Sequence, residues 1–196
     1  MLQGLREYLD AEYNQSIFSR VLESKAQWMF HLHGHRVITG VLDDNQPYDL
    51  AILLDTGQEE QIPKLHVKFL YPVESADPIQ RLIKIDKKLK SKSLEPILAP
   101  SQRHHIKNKT LYPLMQEKHV VFFNLLEGEV VRGLVTGFTR YDITVSMKGG
   151  VPLTILRHSI FDLRNKKGRC FLKSFQDIHR DWKTSPVYEP EHAPKP

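Results

Sequence analysis

The chain contains itself twice. Val37, Gly40, Val41, Tyr48, Asp49, Leu50, Ile52 and Gly57 recur as Val130, Gly133, Leu134, Tyr141, Asp142, Ile143, Val145 and Gly150, each pair 93 positions apart. His66 and His158 extend the match at an offset of 92, and the stretch from Gly34 to Gly40 holds one residue more than that from Gly128 to Gly133. A repeat of this length predicts one small domain duplicated in a single chain. Two copies in 196 residues leave each near the lower size limit for a stable core, so oligomerisation is expected.

Periodicity places the elements of each copy. Leu2, Leu5 and Leu9, then Phe18, Val21 and Leu22, follow helical spacing within residues 1–26, with a restart at Asn14 or Ser16. From Gln27 the pattern becomes alternating or continuously apolar. Strands are expected at Trp28–Leu32, Arg36–Leu42, Tyr48–Leu54 and, as one or two pieces, Gln61–Leu70, with turns at His33-Gly34, Asp43–Pro47 and Asp55–Gly57. A meander this short buries one face only by bending into a small barrel. Asp77-Pro78 predicts the start of a helix running to Lys90. The second copy repeats the strands at His119–Leu126, Val130–Phe138, Tyr141–Met147 and Leu153–Leu163, and 166–175 is a candidate for one more. The expected organisation is a first unit at 1–72, a basic, partly helical connector at 73–109, a second unit at 110–175 and a disordered, proline-rich tail at 176–196. The expected fold class is therefore mainly β, two small five-stranded bent barrels in tandem, each preceded by helical segments.

The formal charge is +5, and its distribution says more than its size. Arg81, Lys84, Lys87, Lys88, Lys90, Lys92, Arg103, Lys107 and Lys109 stand against only Asp86 and Glu95 between residues 81 and 109. The basic character sits in the connector, which reads either as a solvated linker or as an electrostatic footprint for nucleic acid. One cysteine, Cys170, excludes an internal disulfide framework and fits a cytoplasmic setting. No apolar run approaches the roughly 18 residues of a membrane span, so no membrane partner is expected.

In the second copy, Leu126-Glu127-Gly128-Glu129-Val130-Val131-Arg132-Gly133-Leu134-Val135-Thr136-Gly137-Phe138 is followed by Tyr141-Asp142-Ile143-Thr144-Val145 and Leu156-Arg157-His158-Ser159-Ile160. This resembles the Sm-like superfamily and, within it, the Hfq family of bacterial RNA chaperones. The turn glycine, the bend glycine, the aromatic pair Phe138 and Tyr141, and the closing basic-His-x-Ile run match in order and spacing. The resemblance covers about 45 residues of the second copy and a similar length of the first, more weakly. It implies an SH3-type barrel behind a helix, joined edge to edge into a ring; with two barrels per chain, a homotrimer with pseudo-sixfold symmetry. It implies binding of single-stranded, uridine-rich RNA and a role in post-transcriptional regulation.

Carried over position by position, Tyr141 takes the stacking place, Arg140 the neighbouring polar place, and Arg157 and His158 the Lys-His pair. Stacking on an aromatic contributes roughly 1–3 kcal/mol per base, and a guanidinium contacts phosphate in bidentate fashion. Tyr141 packed on the barrel and His158 as a buried, hydrogen-bonded strand residue are the plainer alternatives. The first copy keeps Tyr48 and His66 but has Leu65 where Arg157 stands, so the cation is missing unless Lys64 or Lys68 substitutes, and weaker binding or a structural role is expected there. Lys84, Lys87, Lys88, Lys90, Lys92, Arg103, Lys107 and Lys109 would add phosphate contacts. Asn124 and Glu129 replace the residues with which the family takes adenine-rich RNA on its other face, so that activity is expected to be lost. A ring-forming scaffold without RNA binding is the other reading.

No catalytic residues, cofactor or metal are expected. His31, His33 and His35 alternate as metal ligands do on a strand, but the Gly34 turn falls among them. Asp49 and Asp142, beside the stacking tyrosine in both copies, are expected to hydrogen-bond across a subunit interface or to their own turn rather than to act as bases. Ser159 and His158, adjacent on a strand, point to opposite faces and make no catalytic pair.

Overall fold

The computed structural model describes residues 2–172; the expected tail at 176–196 lies outside them. Two helices come first, α1 (Leu2–Glu12) and α2 (Ile17–Ser24), then five strands: β1 (Gln27–Leu32), β2 (Val37–Asn45), β3 (Asp49–Leu54), β4 (Glu59–Pro63) and β5 (Val67–Pro72). The connector holds α3 (Ala76–Leu82), a two-residue strand β6 (Lys84–Ile85) and α4 (Lys87–Lys90). The second half has α5 (Asn108–Gln116), β7 (Val120–Leu125), β8 (Glu129–Phe138), β9 (Asp142–Ser146), β10 (Pro152–Leu156) and β11 (Ile160–Asn165).

Ten of these strands form one antiparallel sheet in the order β11-β7-β8-β9-β10-β5-β1-β2-β3-β4, and β6 pairs with β8 off that path. Each half contributes its strands in the same internal order. The halves are joined where β10 of the second pairs with β5 of the first, Thr154 opposite Leu70 and Ile155 opposite Phe69.

The repeat is more regular than its identities suggest. Gln27 faces Val41 as Val120 faces Leu134. The bulge between Leu42 and Asp44 recurs between Val135 and Gly137. The left-handed Lys25 (φ 50°) after α2 recurs as Lys118 (φ 52°) after α5. Every one of these pairs is 93 apart, so two readings of the sequence are corrected. There is no extra residue between Gly34 and Gly40: the counterpart of Gly128 (φ 95°) is His35 (φ 57°), which takes the left-handed turn conformation without being glycine. The 3-10 turn Lys64–His66 likewise matches Arg157–Ser159. Lys64, not Leu65, therefore stands in the place of Arg157, and His66 matches Ser159 rather than His158.

Gly40 and Gly133 are required by close approach. A Cβ on Gly40 would lie 2.4 Å from the Leu53 carbonyl oxygen, and one on Gly133 2.4 Å from Val145 Cγ1 and 2.5 Å from the Ser146 oxygen. Both let β2 and β8 bend tightly against the following strand.

Two apolar cores result. One holds α2 (Ile17, Phe18, Val21) on Phe30, Leu42, Leu50, Ile52 and Leu70, joined by Leu156 of the second half. The larger holds α5 (Leu111, Leu114) on Val131, Val135, Phe138 and Val145, joined by Phe69 and Tyr71 of the first half. Leu5, Tyr8 and Leu9 of α1 pack in this second core. The first unit's helix is thus α2, and α1 crosses to the other half, against the expectation that residues 1–72 form one unit with the whole N-terminal helical stretch.

The connector also departs from expectation. The single helix from Asp77 to Lys90 is interrupted because Ile83 is extended and β6 pairs with the free start of β8. Asp86 then caps α4, accepting from the amides of Lys88 and Leu89. Residues 166–172 form no strand beyond a single bridge, Arg164 to Cys170.

Candidate nucleic-acid interface

The two stacking candidates are placed alike. In both halves the backbone of the closing 3-10 turn ties back to the tyrosine: Lys64 N donates to Tyr48 O at 2.8 Å, and Arg157 N to Tyr141 O at 2.9 Å. Both rings point outward, Tyr48 being 82% and Tyr141 51% exposed. The Arg140 guanidinium lies 5.8 Å from the centre of the Tyr141 ring, a cation–π arrangement beside an exposed aromatic face. Lys64 bonds the Gln46 carbonyl and lies 5.8 Å from the Phe18 ring, and His66 is exposed.

The pair expected to lead the site is drawn inward. Arg157 lies over the Phe138 ring at 5.6 Å and donates to Ile106 O (3.2 Å) and Asn108 Oδ1 (3.0 Å). Its Nε is buried and without a hydrogen-bond partner. Burial lowers the affinity of this guanidinium for its proton, partly offset by Tyr13, Asp142 and Tyr8. His158 Nε2 donates to the Val67 carbonyl of the other half at 2.8 Å. Burial pulls its pKa down to about 4, so at neutral pH it is an uncharged, spent donor. His158 is thus turned inward and hydrogen-bonded, but on the 3-10 turn Arg157–Ser159 and not on a strand, and Ser159 beside it donates to Lys68 O at 2.9 Å. Both residues join the halves.

Asp142 is fully buried and accepts from Ile17 N at 3.0 Å. It holds the first turn of α2 from the other half, where a carboxylate complements the helix dipole. The bond expected of Asp142 across a subunit interface or to its own turn is here a bond within the chain, between its two halves. Burial raises its pKa, opposed by that amide and by Thr139.

The junction carries a charge cluster that the sequence reading did not single out. Lys68, 1% exposed, bonds both Glu127 and Glu129 across the halves. Glu127 also accepts from Gly34 N at 2.7 Å. Burial pushes the Glu127 carboxyl up, but Lys68 and the Gly34 amide outweigh it and hold it below the usual range. His35, Glu127 and Glu129 have ligand atoms within 4.8 Å of one another, yet the Lys68 ammonium occupies the space between the carboxylates and supplies the cation. Glu129 is spent in this cluster. Asn124, 5% exposed, donates to Asp162, which pairs with Arg164 at 2.8 Å. Asn124 and Glu129, the positions whose residue types led to the expectation that adenine-rich binding is lost, thus serve as buried polar groups. A lone lysine inside the apolar run Val67–Tyr71 was the available signal for Lys68.

In the connector, Lys84, Lys87, Lys88, Lys90, Lys92, Lys107 and Lys109 are exposed, while Leu89 and Ile106 are buried and anchor the chain. Arg103 is half-buried and turned onto the Ile97 and Leu98 carbonyls. Among the described residues no helix is long and apolar enough to cross a membrane. No family model, no curated protein and no solved structure matches this chain.

Proposed function

We propose that this chain is a cytoplasmic, non-enzymatic RNA-binding protein of the Hfq/Sm-like kind, with two Sm-like units in tandem, that takes single-stranded, uridine-rich RNA in post-transcriptional regulation. The observation that carries the reading is the pair of exposed tyrosines, Tyr48 and Tyr141, held at equivalent places by equivalent backbone bonds. Solvent-facing aromatics beside cations are what single-stranded RNA stacks on. Tyr141 with Arg140 serves one half and Tyr48 with His66 and Lys64 the other, while Arg157 and His158 stand behind them. The connector lysines add sequence-independent phosphate affinity.

The strand order supports the Sm-like part of the reading, since each half runs fifth, first, second, third, fourth strand. The join of β10 to β5 is the pairing that such units would repeat between copies, and among the described residues β4 is the equivalent edge without a partner strand. A homotrimeric ring follows if β4 of one copy takes β11 of the next. The competing element is intramolecular: Phe171 N donates to Leu163 O, and His104 Nδ1 to Phe161 O at 2.8 Å, so ring closure displaces the turn after β11. Light scattering reads the assembly directly, at about 68 kDa for three copies of the 22.8 kDa chain.

The scaffold reading is favoured by one observation, that Arg157 and His158 are spent on internal bonds. Ultraviolet cross-linking to uridine-rich RNA followed by peptide mass spectrometry separates the two. Adducts on Tyr48 and Tyr141 support RNA binding at this face; adducts confined to the connector, or none, favour the scaffold.

A further inference from the structure

The N-terminal helix lies on the second half's site. The Tyr8 hydroxyl accepts from Phe138 N at 2.7 Å and donates to Phe138 O at 2.9 Å, so one side chain holds both backbone groups of that residue. Its ring sits 4.7 Å from the Phe138 ring and 5.9 Å from Tyr112. One turn on, Tyr13 O accepts from Arg140 N at 2.8 Å. The ring of Phe138 has Arg157 over it, and that guanidinium keeps one buried donor, Nε, with no partner. Below α1 there is therefore an aromatic ring, a cation with an unused donor, and a backbone donor–acceptor pair bonded by Tyr8.

The first half is different. Tyr48 and His66 are exposed there, as Tyr141 is in the second half, but α2 packs in its own core. α1 is also attached lightly. Leu5 is buried, Tyr8 and Leu9 only half so, and its other described side chains face largely outward. At 11 residues it is too short to persist as an isolated helix, so it unwinds once undocked. Its anchor is independent of it: α2 is fixed by Ile17, Phe18 and Val21 and by the bond from Ile17 N to Asp142. The chain between Tyr13 and Ser16 is the hinge.

We propose that α1 is a displaceable cover over the inner part of the second half's RNA site, so that each chain presents an open site at Tyr48 and, in the second half, an exposed Tyr141 whose neighbours Phe138 and Arg157 become available only when α1 leaves. The proposal rests on the RNA-binding reading above. Opening frees Arg157 and the Phe138 backbone for a phosphate and a base, and RNA entering there competes with Tyr8 for the same groups.

The test uses the full chain carrying Tyr48→Ala, which silences the open site, with and without Leu5→Glu, which undocks α1. Affinity for a fluorescein-labelled uridine hexamer is read by anisotropy, and the state of α1 by hydrogen exchange at the Phe138 and Arg140 amides. Tyr8→Phe, which removes both hydroxyl bonds but keeps the ring, is the milder second variant. The cover predicts faster exchange at both amides and about tenfold tighter binding with Leu5→Glu, and a gain of a few-fold with Tyr8→Phe. Faster exchange with unchanged or weaker binding overturns the cover and leaves the RNA-binding reading standing. No binding by any variant, including the unsubstituted chain, overturns both.

Discussion

Replacing Lys68 by methionine tests how the halves are held together. Lys68 belongs to β5 of the first half and is 1% exposed; Glu127 and Glu129 belong to the second half and are 12% and 9% exposed. Methionine fills the aliphatic part of the space but leaves two carboxylates facing each other. Glu127 keeps the Gly34 amide as a partner, while Glu129 already has one buried oxygen unpaired and would lose its only ion pair. Removing one partner of a buried ion pair costs about 3–5 kcal/mol, because the remaining charge stays desolvated. In a domain of this size each kcal/mol lowers Tm by about 2–4 °C, so Lys68→Met is expected to melt roughly 6–20 °C lower by calorimetry. Adding Glu127→Gln and Glu129→Gln should restore most of that loss. A Lys68→Met protein that melts within about 2 °C of the parent, or a triple variant no better than the single one, would refute the claim that this cluster is a buried, charge-balanced joint.

Gly133→Ala should cost about 2–3 kcal/mol in chemical denaturation, since its Cβ meets Val145 and the Ser146 carbonyl within 2.5 Å; a neutral result means that β8 does not bend there. Lys25→Gly and Lys118→Gly should each stabilise by about 0.5–1 kcal/mol and add, because both lysines sit in the left-handed region at helix ends where glycine is unstrained. Burial holds His31, His33 and His158 neutral with pKa values of about 4. The unfolded chain therefore takes up protons first, and stability present above pH 6.5 is lost as pH falls towards 4, by about 1 kcal/mol per pH unit for each histidine. His158→Gln should flatten that decline in a pH series of urea melts.

Much of the fold was legible because its constraints are local. Gly40 and Gly133 sit where backbone meets backbone, so the repeat had to keep them, and apolar patterning marked eight strand segments, of which Leu153–Leu163 is in fact two strands broken by the turn Arg157–Ser159. The errors arose where identity was taken for equivalence. Gly34 resembles Gly128 and both are left-handed, but the 93-residue spacing sets His35, also left-handed, at the place of Gly128. His66 resembles His158, but the equivalent 3-10 turns set it at the place of Ser159, and Lys64, named in the sequence reading only as a substitute cation, is the true counterpart of Arg157. The destination of α1 was not readable at all: a stripe of Leu5, Tyr8 and Leu9 says that a face is buried, not against which half. The same limit applies to the site. Residue types marked Tyr48, Tyr141, Arg140, Arg157 and His158, whereas only packing shows that the first three face outward and the last two are engaged within the chain.

The central claim is met most directly by titrating labelled uridine-rich RNA, adenine-rich RNA and matched single-stranded DNA into the full-length protein, at low and at physiological salt. The account predicts uridine-preferring binding that survives physiological salt and falls when Tyr48 and Tyr141 are both replaced by alanine. Binding that ignores sequence, vanishes with salt and is indifferent to both tyrosines would contradict it, leaving only the charge of the connector.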